Sequence, residues 1–188
     1  MINRPLTDGE ITLARTVFRD AIDYAAVTVS DSQYIFFQPE GVAMTPDGNL
    51  FMYGCYHADY SQADSGSRGL FIHEMTHVWQ FQNKVLRPVA ECVNLAMKHE
   101  FNYVAAYNFL LDENKDLTRY GMEQQASIVA EYFLVKHEGL ASYARDCANK
   151  CSDDEKIRLY EKVLEKFLKD PSYAKQSDFP KFFTKRTP

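Results

Sequence analysis

The chain contains 188 residues, of which 46% are hydrophobic and 25% are charged, a composition typical of a folded globular protein. Its net charge of −5 at pH 7 argues against a nucleic-acid partner, because nucleic acids bind basic surfaces. The sequence has no apolar run long enough to span a membrane and no ordinary secretory signal. We therefore expect a cytoplasmic protein with reduced cysteines, built as one domain at residues 1–171 with a docked or flexible tail at residues 172–188.

The first part of the sequence, residues 7–53, predicts a helix followed by a small sheet. Thr7 and Glu10 form a capping-box pattern that opens a helix of about a dozen residues. Segments rich in β-branched and aromatic side chains predict strands at residues 26–29, 34–37, 42–44 and 49–53. The turn-forming sequence from Thr45 to Gly48 joins the last two strands into a hairpin.

A polar loop then leads to a helix predicted from residue 68 to residue 81 or 84, with Asp64, Ser65 or Ser67 as its cap. This helix carries the sequence His73-Glu74-Met75-Thr76-His77. Residues four apart lie on one face of a helix, so His73 and His77 can bind the same metal ion. Glu74 is placed to act as a base on a water held by that metal.

The residues that flank the two histidines are apolar, which favours a buried helix with its polar face in a cleft. The alternative is a pair of core histidines that are hydrogen-bonded and bind no metal. His57 and His99 are more typical of ordinary surface or core histidines.

The metal-site helices are predicted to extend over residues 67–139. A second helix opens at Pro88 and runs to about residue 99, whereas residues 101–111 fit either a helix or a β-hairpin. Residues 112–116 predict a turn, and residues 120–139 predict a strong helix that a glycine ends. A last helix is predicted at residues 153–169, before Asp170 and Pro171.

Two histidines leave a catalytic zinc site one protein ligand short. The three-histidine metzincin pattern is excluded, because position 83 holds asparagine. Glu123 is the preferred third ligand, since small residues on its helix face allow two helices to approach closely. These small residues are Ala126, Ser127 and Ala130. A first-turn glutamate favoured by the helix dipole is the alternative, and three other ligands stay open: Glu131, His99 and Asp64.

The sequence from His73 to Gln80, followed by Glu123-Gln124-Gln125-Ala126, resembles a bacterial family of small zincin-like proteins. These proteins are labelled Rhs- or Vgr-related and are linked to type VI secretion or other contractile injection systems. The resemblance covers roughly residues 4–135. It implies an α+β, zincin-like single domain in which a small sheet that bears a hairpin precedes a mainly helical part.

The same resemblance implies a gluzincin-type metallopeptidase that uses His73, His77 and Glu123 as zinc ligands and Glu74 as general base. It also implies an effector or accessory role and export through a contractile secretion system, with the secretion apparatus or a cognate immunity protein as partner. Ser127 departs from the thermolysin pattern, in which an aspartate at this position orients a ligand histidine. The groups that orient the ligands must therefore differ here.

Together these features predict a zinc-dependent hydrolase that cuts a peptide bond, although nickel or cobalt fits the same ligands. The sequence does not rank the candidate donors to the oxyanion. These candidates are Tyr120, Tyr132, Tyr103 and Arg119. A protein or peptide substrate is favoured over a peptidoglycan peptide. The alternatives are a zinc-braced binding module, acting as adaptor, chaperone or immunity partner of a secreted toxin, and a cytoplasmic regulatory protease that cuts a repressor or antitoxin.

Overall fold

The computed structural model describes residues 1–85, 107–139 and 152–176. In these ranges, five α-helices accompany three short strands. The helices are Asp8–Phe18 (α1), Ser65–Gln82 (α2), Met122–His137 (α3), Asp153–Val163 (α4) and Glu165–Lys169 (α5). The strands are Asn3–Pro5 (β1), Thr28–Ser30 (β2) and Leu50–Phe51 (β3). None of the described helices has the length and apolar character needed to cross a membrane.

The three strands form one sheet in the order β1-β2-β3. β1 runs antiparallel to β2, with Arg4 opposite Val29, and β2 runs parallel to β3, with Val29 opposite Leu50. An isolated antiparallel bridge between Met44 and Phe51 closes the predicted hairpin. The sequence did not predict β1, because its three residues show no strand-like alternation.

The strand predicted at residues 34–37 is wrong, because this segment forms bends and turns. The buried Gln38 side chain accepts a hydrogen bond from the Tyr34 N–H and donates to the carbonyls of Val42 and Phe51. A side chain therefore satisfies backbone groups that a neighbouring strand would otherwise pair.

The capping box of α1 is present as predicted, with Thr7 and Glu10 bonded to each other's backbone N–H groups. The Glu10 carboxylate is fully buried and also accepts hydrogen bonds from the Arg4 guanidinium and from the Tyr60 N–H. One buried carboxylate thus ties β1 and α1 to the loop that leads into α2, because leaving any of these groups unpaired would be costly.

Helix α2 begins at Ser65, slightly earlier than predicted, with the Asp64 side chain accepting from the Ser67 N–H. It packs closely against α3. A Cβ atom added at Gly69 would lie 2.9 Å from the Leu134 side chain, so a larger residue at this crossing would force that side chain to shift. The α2 and α3 backbones are therefore close enough for short side chains to meet between them.

The single helix predicted at residues 153–169 is interrupted. Leu164 separates α4 from α5, and its side chain is fully buried. This turn of the chain brings Phe167 into the core, where its ring makes edge contacts with Phe18 and Trp79. The Trp79 indole N–H donates to the Pro171 carbonyl at 2.8 Å, so the C-terminal part packs directly against α2.

The tail predicted at residues 172–188 is docked over its described part. The Tyr173 hydroxyl donates to Asp116, and the Gln176 N–H donates to the Asn83 carbonyl. Several predictions concern residues outside the described ranges: the helix after Pro88, the remainder of the tail, and the reduced state of Cys92, Cys147 and Cys151.

We predict that replacing Phe167 by alanine lowers the free energy of unfolding by about 3–5 kcal/mol, because the change opens a cavity between α1, α2 and α5. Urea unfolding of the full chain measures this loss. The matched control is Phe36→Ala, since Phe36 is 88% exposed and its loss should change stability by less than about 0.5 kcal/mol. Equal effects of the two substitutions would contradict the packing described here.

Candidate metal centre

Three side chains from α2 and α3 converge at the crossing of these helices. The Nε2 atoms of His73 and His77 each lie 3.2 Å from the same oxygen, Oε2 of Glu123. Both histidines lie on one face of α2, as their spacing predicts, and the first turn of α3 carries Glu123 to them. The structure therefore brings together the three residues that the sequence marks as metal ligands.

The spacing of these atoms fits a zinc ion. Ligand atoms about 2.0–2.1 Å from a tetrahedral zinc stand about 3.3–3.4 Å apart, close to the 3.2 Å between each imidazole nitrogen and the Glu123 oxygen. Two imidazole nitrogens and a carboxylate oxygen are also the donor set of many catalytic zinc sites. The donor types and the two distances to Glu123 are thus compatible with a zinc ion.

Charge couples His77 to Glu123. Burial lowers the pKa of His77, but the charge and hydrogen bond of Glu123, together with Glu74 and Gln80, raise this pKa from 6.5 to about 9. Burial raises the pKa of Glu123, whereas the charge of His77 and the hydrogen bonds to both histidines hold that pKa well below its usual range. Because a histidine binds a metal in its neutral form, metal binding displaces a proton from this pair.

A chain of buried amides orients His77. The Nδ1 atom of His77 lies 2.8 Å from Oε1 of Gln80, and Gln80 Nε2 donates to the Met122 carbonyl and to Oε1 of Gln125. Gln125 in turn donates to the Tyr120 carbonyl. In the neutral form of the ring, an Nδ1–H donated to Gln80 leaves the lone pair on Nε2, the nitrogen that faces Glu123. The two glutamines thus fix the orientation of the His77 ring.

Glu74 lies beside the histidines and is 4% exposed. Ligand atoms of His73, Glu74 and His77 all lie within 4.8 Å of one another. Of the two glutamates, Glu123 lies against both imidazoles, whereas one oxygen of Glu74 accepts a hydrogen bond from the Thr45 hydroxyl at 2.7 Å. The two glutamates therefore differ in their contacts: Glu123 contacts the imidazoles, and Glu74 contacts Thr45.

An open groove of about 470 Å³ runs past His73 and Glu74. Its hairpin side includes Val42 and Ala43, and its helical side includes Leu70 and Leu134. The Tyr107 side chain also lines this groove, and its ring stacks on the His73 imidazole with 5.9 Å between the ring centroids. The groove is mainly apolar, with the polar cluster at its wall.

The side chains of Tyr120 and Tyr132, two of the predicted oxyanion donors, do not line this groove. The Tyr120 hydroxyl accepts from the Asp112 N–H and donates to the Leu110 carbonyl, beside a neighbouring cavity of about 670 Å³. Tyr132 is 6% exposed, and its side chain does not line the groove. Arg119 ends a short 3-10 helix and does not line the groove either.

The other candidate ligands in the described part of the chain contact other groups. Glu131 lines the groove and accepts a hydrogen bond from the Tyr160 hydroxyl. Asp64 caps α2, and the His57 ring packs on Tyr60. His99 and Tyr103 lie outside the described residues.

Sequence reasoning assigned no role at the site to Thr45, Tyr107, Gln80 or Gln125. The sequence could have indicated Gln80 and Gln125, because each lies on a predicted helix near a candidate ligand, and amides buried between two helices require partners. No sequence signal marks Thr45 or Tyr107, since only packing of distant segments brings them to the site.

Comparison with known proteins identifies the family. No family model matches the sequence. The chain is 40% identical over 139 residues to the type VI secretion system spike protein VgrG2b of Pseudomonas aeruginosa strain PAO1. Its structure is similar to that of the effector domain of Pseudomonas aeruginosa VgrG2b, with a TM-score of 0.64 and 36% identity. This similarity covers 74% of the chain and 79% of the effector domain.

The chain therefore belongs to the family of the VgrG2b effector domain, which confirms the predicted relationship to Vgr-related proteins. The sequence match covers 72% of the chain but only 13% of the whole spike protein. The zincin-like fold and the zinc ligands remain predictions.

We predict that Gln80→Met weakens zinc binding by about 10–100-fold, because the His77 ring loses the partner that fixes its orientation. Competition with a chromogenic chelator measures the affinity. Gln82→Met is the control on the same helix, since Gln82 bonds the backbone of Asp23 and not a histidine. Equal losses of zinc affinity in both variants would show that Gln80 has no specific role.

Proposed function

We propose that this chain is a zinc-dependent peptide-bond hydrolase with a zincin-like fold of the gluzincin type. The observation that carries the proposal is the convergence of His73, His77 and Glu123 on one point, with the Glu74 carboxylate beside them in an open groove. A zinc ion that only braces a fold needs no base next to a groove, whereas hydrolysis needs both features.

His73, His77 and Glu123 would hold the zinc ion, which supplies a Lewis acid for the substrate carbonyl and lowers the pKa of the attacking water. Gln80 keeps Nε2 of His77 available as a ligand. The Glu74 carboxylate takes a proton from the attacking water, and it then delivers this proton to the amine that leaves when the C–N bond breaks. Each proton therefore passes through a single buried carboxylate.

The groove supports an extended peptide as substrate. Met44 pairs with Phe51 through its backbone N–H and C=O, so the backbone groups of the preceding residue, Ala43, point to the opposite side of the strand. Ala43 lines the groove, and an extended peptide can pair with such an edge. Tyr107 replaces Tyr120 and Tyr132 as the candidate oxyanion donor, because its side chain lines the groove.

We further propose that the chain acts as an effector domain that is exported with, or by, a type VI secretion apparatus. Support comes from its membership of the VgrG2b effector-domain family. An exported hydrolase that cuts proteins would also require a cognate immunity protein in the producing cell.

We predict that Glu74→Gln retains stoichiometric zinc and loses hydrolysis of unfolded, fluorescently labelled casein by about 10²–10⁴-fold, because the neutral amide cannot accept a proton. Zinc content is measured by atomic absorption, and the rate is measured with the same preparation. Glu138→Gln is the control, since Glu138 pairs with Arg68 and Ser65 and does not line the groove. A Glu74→Gln variant with wild-type activity would refute the mechanism.

We also predict that zinc stabilises the full chain by about 4 kcal/mol when free zinc exceeds its dissociation constant a thousandfold. Glu123→Gln should abolish most of this stabilisation, because the amide is a poorer zinc ligand than the carboxylate. Thermal unfolding with zinc and with EDTA measures the difference, and Glu138→Gln again serves as the control. Identical stabilisation of the Glu123→Gln variant by zinc would exclude Glu123 as a ligand.

A further inference from the structure

The turn of the hairpin, from Thr45 to Gly48, lies along the face of α2 that carries Glu74. At its far end, Gly48 has a φ of +83° and packs so closely on Phe81 that an added Cβ atom would lie 2.7 Å from the Phe81 ring. At its near end, the Thr45 hydroxyl donates to Oε2 of Glu74 at 2.7 Å. Positions 74 and 81 are seven apart and share a helix face, so the turn is held at both ends.

The contact between Thr45 and Glu74 is buried and geometrically restricted. Thr45 is 5% exposed and Glu74 is 4% exposed. The next residue is Pro46, and a β-branched residue before proline is confined to extended backbone and few side-chain rotamers. The position of the Thr45 hydroxyl is therefore set by the hairpin, and a hydrogen bond to a buried carboxylate is among the stronger ones.

We propose that Thr45 is a positioning residue that fixes the orientation of the Glu74 carboxylate. The bond occupies Oε2 and sets the plane of the carboxylate, which decides where Oε1 points. This inference rests on the proposed role of Glu74 as general base.

The hairpin that carries Thr45 also borders the groove in which we propose that the substrate binds. The segment that precedes Thr45 in the same hairpin, Val42 and Ala43, forms one side of the groove. The position of one hairpin therefore sets both the path of the peptide and the orientation of the base. Movement of the hairpin away from α2 would change both together.

The kinetic test compares Thr45→Val with Thr45→Ser in the zinc-loaded full chain, with labelled casein as substrate. Valine keeps the shape and removes the donor, so kcat should fall about tenfold, which corresponds to about 1.4 kcal/mol of lost transition-state stabilisation. KM and zinc content should not change. Serine keeps the hydroxyl and should restore kcat to within about twofold of the wild type.

Thr28→Val is the matched control. The Thr28 hydroxyl bonds the Asn49 side chain at 2.9 Å, next to the same hairpin, and does not contact Glu74. If Thr45→Val has the kcat of the wild type, the inference is wrong. The inference is also wrong if Thr28→Val lowers kcat as much as Thr45→Val does. A wild-type chain with bound zinc and no hydrolysis would instead refute the proposed function.

A second measurement does not depend on activity. In urea unfolding of the full chain with EDTA, Thr45→Val, Glu74→Met and the double variant form a thermodynamic cycle. Each single substitution leaves a buried polar group without its partner, and the double substitution removes both groups. Each variant raises the unfolding equilibrium constant by some factor. The factor for the double variant should be about tenfold smaller than the product of the factors for the two single variants. Simple additivity would show that the two side chains are not coupled, and would refute the contact.

Discussion

The close approach of α2 and α3 is the constraint on which the candidate site depends. Gly69 lies against Leu134 with no space for a larger side chain, and the face of α3 that follows Glu123 carries Ala126 and Ser127. At this separation one glutamate oxygen lies 3.2 Å from both imidazoles of the other helix. We expect larger residues on this face of α3 to increase the distance between Glu123 and the two histidines.

Bringing two helices so close buries polar groups, and each of them needs a partner. His77, Gln80 and Gln125 satisfy one another in a chain that ends on the Tyr120 carbonyl. Burial lowers the pKa of His77, but Glu123, Glu74 and Gln80 together raise it to about 9, so the imidazole on α2 and the Glu123 carboxylate on α3 attract each other. The same polar network therefore stabilises the helix pair and prepares the ligands, because a ligand that is already oriented loses little entropy on binding.

Local patterns in the sequence predicted the elements that depend on neighbouring residues. The capping box at Thr7, the cap at Asp64 and the helix that carries His73 and His77 all follow from spacing within a few residues. The long-range features could not be predicted in this way. Gln38 replaces a strand with side-chain hydrogen bonds, Leu164 interrupts a helix to fill the core, and Thr45 meets a residue 29 positions away. These features depend on tertiary packing, which leaves no periodic signal in the sequence.

The account depends most on where zinc binds. A crystal of the full chain soaked in zinc, measured at the zinc absorption edge, would locate the ion by its anomalous scattering. We predict one strong peak about 2.0–2.2 Å from Nε2 of His73, Nε2 of His77 and a carboxylate oxygen of Glu123, with the fourth position open to solvent beside Glu74. A zinc ion bound elsewhere, or one enclosed by four protein ligands, would contradict the account.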